Sequence, residues 1–225
     1  KVYFYFYSAN YEKYQAEYKN YWPVVTWKNF LIWDRYQKDY FESLVLKTDI
    51  NYHIVDPIYF SDVDEGVNIP ENSIGIFTDQ PHRSSIYSFL ALPDDYLTPN
   101  TYISFINDVD EILKKYNLKT VHKIKRNIGN VAHPKYINFI KKFSKDNDFI
   151  EINPDISAFK IIQKCKAVIS SPFTSTALIA RYYNVPTVYY DPTGTIKKYE
   201  KAAHGIKVIY DIKELEDWLL KCINK

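Results

Sequence analysis

From Ser73 onward the chain alternates short runs of β-branched and aromatic residues with longer stretches whose apolar positions recur every third or fourth residue. The short runs predict buried strands at 74–78, 120–125, 149–152, 167–170, 187–190 and 207–210. The longer stretches predict helices at 101–116, 134–145, 157–164, 175–183, 196–203 and 212–223. Several helix starts carry their own signal: Ser157 and Asp211 are good N-caps, and Pro134 at a first helical position gives up no N–H that the helix needs. Strand–helix alternation of this kind predicts an α/β, Rossmann-like domain, a parallel sheet with helices on both faces.

The first seventy or so residues read differently. Aromatic runs at 2–7 and 30–33 flank a polar, helix-compatible stretch at 11–20, and 11 of the 22 tyrosines fall within the first sixty residues. Neither aromatic run contains an Arg or Lys, as base stacking along a nucleic acid would favour, so they predict core or a domain interface. The expected division is therefore 1–72, a partial preceding domain with its crossover, and 73–225, the Rossmann-like domain.

In open parallel sheets ligands bind beyond the carboxyl ends of the strands. That rule selects Asp79, the cations Lys123, Lys125 and Arg126, residues 153–155, the turn at 170–176, and Asp191 with the three residues after it. The turn is the most informative. Between Ser170 and Thr176 a buried strand gives way to five hydroxyl residues in seven positions (Ser170, Ser171, Thr174, Ser175, Thr176), and a helix follows. Free N–H groups and the positive end of a helix dipole favour an anion there, and N-capping alone needs only one hydroxyl. A phosphate or diphosphate is the expected ligand.

Lys123, Lys125 and Arg126 end the neighbouring strand, where they would face the same phosphates or a sugar carboxylate, or else solvent. His133-Pro134 opens the next helix, so the His133 ring can donate to a phosphate oxygen and offset charge growing on a leaving nucleotide, or simply cap the helix. Asp79 ends the first strand of the Rossmann-like part and is either a nucleophile or general base, or a loop cap. Asp191 leads a Pro-Thr-Gly turn that can face a ribose or base. Asp64-Glu65-Gly66 reads as a surface turn.

Composition narrows the options. The net charge of +2 conceals 8 Lys/Arg against 14 Asp/Glu in residues 1–100, and 21 against 13 in residues 101–225, so the anion-seeking part is C-terminal. No continuous basic run points to nucleic acid, and no apolar run is long enough to span a bilayer. The two cysteines, Cys165 and Cys222, have no metal-ligand partners nearby in sequence and fit reduced thiols in a cytoplasmic protein, with peripheral association at the inner membrane left open. Phosphate-loop, dinucleotide-fingerprint, serine-hydrolase and zinc motifs are absent from the sequence, and neither a metal nor a cofactor is expected.

With these residues assembled, the chain resembles bacterial surface-polysaccharide biosynthesis proteins with a Pro-Phe-Thr-Ser motif, here Pro172-Phe173-Thr174-Ser175. The resemblance extends to Trp33-Asp34-Arg35-Tyr36-Gln37, Val55-Asp56-Pro57-Ile58, Phe77-Thr78-Asp79-Gln80-Pro81, the cations Lys123 to Arg126, His133-Pro134 and Tyr190-Asp191-Pro192. It implies the C-terminal, donor-binding portion of a GT-B-like glycosyltransferase in O-antigen or capsule synthesis, with a nucleotide-sugar and a glycan acceptor as partners. The His-Pro and Ser-Ser pairs, in this order, are also similar to those of sialyltransferases and β-Kdo transferases. Carried over, His133 would contact the CMP phosphate and Ser170 and Ser171 would bind it, which favours a CMP-sugar of Kdo or sialic-acid type over UDP or GDP donors. By the same resemblance Asp79 is the catalytic carboxylate, if that group lies in this chain. The reading from a different class is a non-catalytic nucleotide- or glycan-binding module that partners a polysaccharide synthase.

Overall fold

A computed structural model describes residues 1–5, 27–44, 49–58, 67–86, 97–124, 127–145 and 148–224. The expected helix at 11–20, the Asp64-Glu65-Gly66 turn, and the site residues Lys125 and Arg126 lie outside the described residues.

The aromatic N-terminal part folds as a three-stranded parallel sheet of β1 (Tyr3–Tyr5), β2 (Asn29–Ile32) and β3 (Asn51–Ile54), in that spatial order. Phe30 and Ile32 of β2 bury one face against Phe41 of helix α1 (Arg35–Leu44), with Phe4 and Tyr52 packed around them. This is the alternation of a half-buried strand, with every second side chain turned inward.

The second sheet begins at β4 (Ser73–Thr78), whose six residues are all buried, as a central strand of a covered parallel sheet must be. After it come α2 (Pro99–Lys115), β5 (Lys119–Ile124), α3 (Pro134–Phe143), β6 (Phe149–Glu151), α4 (Ala158–Ile162), β7 (Ala167–Ser170), α5 (Ser175–Tyr182), β8 (Thr187–Tyr190), β9 (Val208–Ile209) and α6 (Ile212–Ile223). The six strands are parallel in the order β6-β5-β4-β7-β8-β9. The direction of winding reverses between β4 and β7, and that reversal opens a crevice at their carboxyl ends. Helices cover both faces. Phe105, Val109 and Leu113 of α2, Tyr136 and Ile140 of α3, and Leu215 and Leu219 of α6 pack on one face; Ile161 and Ile162 of α4, with Ala177 to Ala180 of α5, pack on the other. None of the helices among the described residues is long and apolar enough to cross a membrane.

The two sheets meet at the end of β2. Trp33 joins the core beneath α4 and α5, and Asp34 places its carboxylate against the second unit. His204 Nδ1 lies 2.9 Å and 2.8 Å from the two Asp34 oxygens, and Arg181 Nη2 donates to Oδ2 at 2.9 Å. Arg181 Nη1 also donates to the His204 carbonyl at 2.5 Å. Gly205, at φ +77°, lets the chain pass under Tyr36, because a Cβ there would stand 2.8 Å from the Tyr36 hydroxyl.

Beyond shifts of one or two residues at other ends, three elements depart from the sequence expectation. The helix expected at 196–203 is a loop that ends in a single 3-10 turn, Lys201–Ala203. Asp191 accounts for this: Oδ1 accepts from Thr193 N at 3.0 Å and Oδ2 from Ile196 N at 2.9 Å, so the segment closes on its own carboxylate before a helix can start. The helix expected at 157–164 stops at Ile162, where Lys164 N and Cys165 N bond three residues back rather than four. The strand expected at 207–210 pairs over Val208–Ile209 alone.

Candidate functional site

Register places the chemistry. Phe77 of β4 pairs with Lys123 of β5 on one side and with Ser170 of β7 on the other. Residues aligned across parallel strands share a face, so Lys123 and Ser170 emerge together on the side covered by α4 and α5. A cleft of about 280 Å³ opens there, lined by Phe77 and Thr78, Lys123 and Ile124, the loop from Pro154 to Ala158, and Thr174, Ser175, Thr176 and Ile179.

Lys123 is nearly enclosed, at 4% exposure. Its Nζ donates to the carbonyls of Ile124 at 3.1 Å and Pro154 at 2.9 Å. Burial pushes the ammonium down to about 8, with nearby Asp155 acting in the opposite direction. At neutral pH it is a cation held by two carbonyls, with one N–H still to place.

The opposite wall is the turn after β7. Thr174 N bonds to Ser171 O at 3.3 Å across Pro172-Phe173, and Phe173 has φ +63°. Proline at the second place and positive φ at the third is the type II pattern, which glycine or asparagine normally fills. A buried phenylalanine held there stores about 1–3 kcal/mol of backbone strain. Tyr189 of β8 supports it: its ring lies 6.3 Å from that of Phe173, and its hydroxyl donates to Thr174 O at 2.8 Å.

The hydroxyls of the turn are mostly turned on one another. Thr174 Oγ1 donates to Ser171 O at 2.8 Å, so in its 3.1 Å contact with Thr176 Oγ1 the proton comes from Thr176. In the 2.8 Å contact between Ser170 and Thr176, Ser170 is then the donor. Three hydroxyl protons are thereby spent inside the turn. Thr174 occupies the N-cap position of α5 but makes no side-chain capping bond, so its hydroxyl does not compete for the first N–H groups of the helix. Among the described residues the buried Ser171 hydroxyl has no partner. The side-chain protons of Ser170, Thr174 and Thr176 are thus directed within the turn, and Thr174, Ser175 and Thr176, but neither Ser170 nor Ser171, line the cleft.

Residues 1–219 match the family of polysaccharide biosynthesis PFTS motif proteins. The chain belongs to that family. Its motif, Pro172-Phe173-Thr174-Ser175, is the strained turn and the first helical residue just described. No curated protein sequence matches the chain. Among solved structures it is similar to a variant of S. aureus TarM bound to fondaparinux, α-GlcNAc-glycerol and UDP, at 12% identity and TM-score 0.43, covering 88% of this chain and 37% of that one. It is also similar to the UDP-GlcNAc 2-epimerase of Methanocaldococcus jannaschii in complex with UDP-GlcNAc and UDP, at 14% identity and TM-score 0.41, covering 68% and 39%. The β-Kdo 2,4-transferase KpsC of Thermosulfurimonas dismutans matches at 11% identity and TM-score 0.35, covering 57% and 37%. The chain spans less than two fifths of the length of each of these three structures.

The remaining residues singled out from the PFTS sequence lie away from this cleft's lining. His133 is the N-cap of α3, and its Nδ1 accepts from Lys135 N at 3.2 Å. That bond leaves the proton of the neutral ring on Nε2. Pro134 occupies the first helical position, as expected. Asp79 follows the end of β4 and is half-buried. Asp191 is fully buried, and both of its oxygens hold its own loop. On the far side of β5, Thr78 Oγ1 lies 3.0 Å from His122 Nε2 and 3.1 Å from the Tyr136 hydroxyl. Burial, with the charge of Lys123 alongside, pushes His122 down to about 3, so the ring is neutral. This network and Tyr189 were not picked out from the sequence, where Thr78, His122 and Tyr189 read as ordinary strand residues and Tyr136 as an ordinary helix residue; for the strained turn, the proline carried the signal.

Proposed function

We propose that the cleft between Lys123 and the start of α5 binds the diphosphate or phosphate of a nucleotide-sugar, and that the chain is the donor-binding portion of a glycosyltransferase of surface-polysaccharide synthesis. The observation that carries this reading is the pairing of unlike donors across one cleft at the sheet's switch point. On one wall stands the start of α5, where the N-cap side chain makes no capping bond, on the other a buried ammonium, and a polyanion would suit both. The loop from Pro154 to Ala158 continues the cleft away from the PFTS turn and offers a mostly apolar surface to a nucleoside. In transfer, charge grows on the departing nucleotide, and the helix start and Lys123 are placed to offset it.

The His133-Pro134 and Ser170-Ser171 pairs, similar in order to those of sialyltransferases and β-Kdo transferases, support CMP as the nucleotide, with a Kdo- or sialic-type sugar; His133, outside the cleft's lining, carries its proton on Nε2, the tautomer that donates to a phosphate oxygen. Lys125 and Arg126, which follow Lys123 in sequence, are further phosphate-binding candidates in this reading. Asp79 is the general base, residues 1–72 belong to the acceptor-side domain of a GT-B arrangement, and the glycan acceptor enters between the two. The protein works in the cytoplasm at the inner face of the membrane.

Calorimetric titration with CMP, UDP and GDP tests the donor site. Binding of CMP in the micromolar range, tighter than UDP or GDP, is expected on the general scale of such affinities. No binding of any of the three at millimolar concentration overturns the donor-site reading. Preference for UDP overturns only the choice of nucleotide.

A further inference from the structure

We infer that Tyr189 is a positioning residue for phosphate binding, acting through the peptide plane between Thr174 and Ser175. The inference rests on the nucleotide-sugar reading of the cleft. A peptide unit is planar and its C=O and N–H point in opposite directions. A bond that fixes the Thr174 oxygen therefore also fixes the direction of the Ser175 N–H, the first donor of α5. Tyr189 makes that bond at 2.8 Å from a hydroxyl on a side chain only 1% exposed.

The same ring stands against Phe173, whose φ of +63° is the conformation the turn would most readily relax out of. Rotation of Phe173 toward an ordinary φ would swing the following peptide and withdraw the N–H groups from the cleft. Tyr189 opposes this at two points, with its ring on Phe173 and its hydroxyl on Thr174. It sits under the turn from the neighbouring strand and does not line the cleft, so it acts on the ligand only through the turn.

The adjacent Tyr190 provides an internal control. It too is buried and its hydroxyl also makes a 2.8 Å bond, but to Asp108 on the opposite face of the sheet. Tyr189→Phe and Tyr190→Phe each remove one buried tyrosine hydroxyl and keep the ring. Each is compared with the wild-type chain in titrations with CMP and UDP and with cytidine and uridine, with thermal melts run alongside. The expected result is that Tyr189→Phe weakens the nucleotides about tenfold and leaves the nucleosides within twofold. Tyr190→Phe lowers the melting temperature by a similar amount and shifts neither ligand class. Equal weakening of nucleotides and nucleosides by Tyr189→Phe, or identical effects of the two variants, makes Tyr189 purely structural and overturns the inference. Wild-type chain that binds nucleosides as tightly as nucleotides, or binds neither, overturns the phosphate reading itself and this inference with it.

Discussion

The turn from Ser170 to Thr176 and the corner from Trp33 to Gln37 are both built from buried polar groups, yet they handle them in opposite ways. At the corner the Asp34 carboxylate and the Gln37 amide oxygen are both engaged. Asp34 receives His204 Nδ1, Arg181 Nη2 and the Gln37 N–H, and Gln37 Oε1 accepts from Trp33 N at 2.6 Å. Burial works to raise the Asp34 carboxyl, but the bond and charge of His204, with the bonds from Gln37 and Arg181, outweigh it and hold the group below its usual range. At the turn, by contrast, the Ser171 hydroxyl is buried without a partner among the described residues, the N-cap side chain makes no capping bond, and Phe173 holds a costly φ. A closed set of hydrogen bonds suits a joint, and an open one at a helix start is where the proposed ligand would complete the set.

The sharpest way to break this contrast is at the corner. Asp34→Ala leaves His204, with 2% of its side chain exposed, facing an unfilled position, while the more exposed Arg181 can return to water. A loss of about 3 kcal/mol in urea unfolding is expected, with nucleotide affinity unchanged within twofold. If stability holds and affinity collapses instead, the corner belongs to the binding site and the contrast fails.

Lys123 tests the other side. Lys123→Met should weaken nucleotide binding about thirtyfold, roughly 2 kcal/mol. The pH dependence has a definite sign. The folded-state value of about 8 lies below the ordinary 10.5, so between them the unfolded chain holds more protons and stability rises with pH across that window. Ligand affinity runs the other way: the ammonium is lost as pH rises through about 8, so wild-type affinity falls from pH 7 to pH 9 and binding takes up a proton near pH 8. Calorimetry in buffers of different ionisation heat reads that uptake directly. The Met variant should show neither effect, and a wild type whose affinity is flat to pH 9 removes Lys123 from the site.

How far the sequence reached follows the range of the interactions. Strand and helix alternation after Ser73 gave the order of the elements, because core-facing periodicity is a local signal. The positions of Lys123 and of the PFTS turn at strand ends were legible for the same reason. The partners that give them their character were not. Lys123 is held by a carbonyl 31 residues away, and Asp34 meets Arg181 across 147 residues. Asp191 shows the converse, a local set of partners that the sequence did not suggest. Its position suggested a ligand contact, whereas Thr193 and Ile196, both within five residues, take up its oxygens. The hydroxyl count at the turn was visible, but its direction was not: only the geometry shows that Ser170, Thr176 and Thr174 pass their protons inward.

Ser171 offers the finest test, since its buried hydroxyl has no partner among the described residues. In a purely structural turn, removing a buried hydroxyl without a partner costs nothing and relieves a desolvated polar group. Ser171→Ala should therefore leave stability within about 0.5 kcal/mol of wild type, or raise it slightly. Where that hydroxyl completes the donor set for a phosphate, the same change should weaken nucleotide binding about tenfold, near 1.4 kcal/mol. Ser170→Ala is the companion measurement. Its proton already goes to Thr176, so its loss should disturb stability more than binding. A reversal between these two neighbours, with Ser170 governing affinity and Ser171 governing stability, would mean that the proton relay runs outward and that the turn meets its ligand through side chains rather than through the backbone of α5.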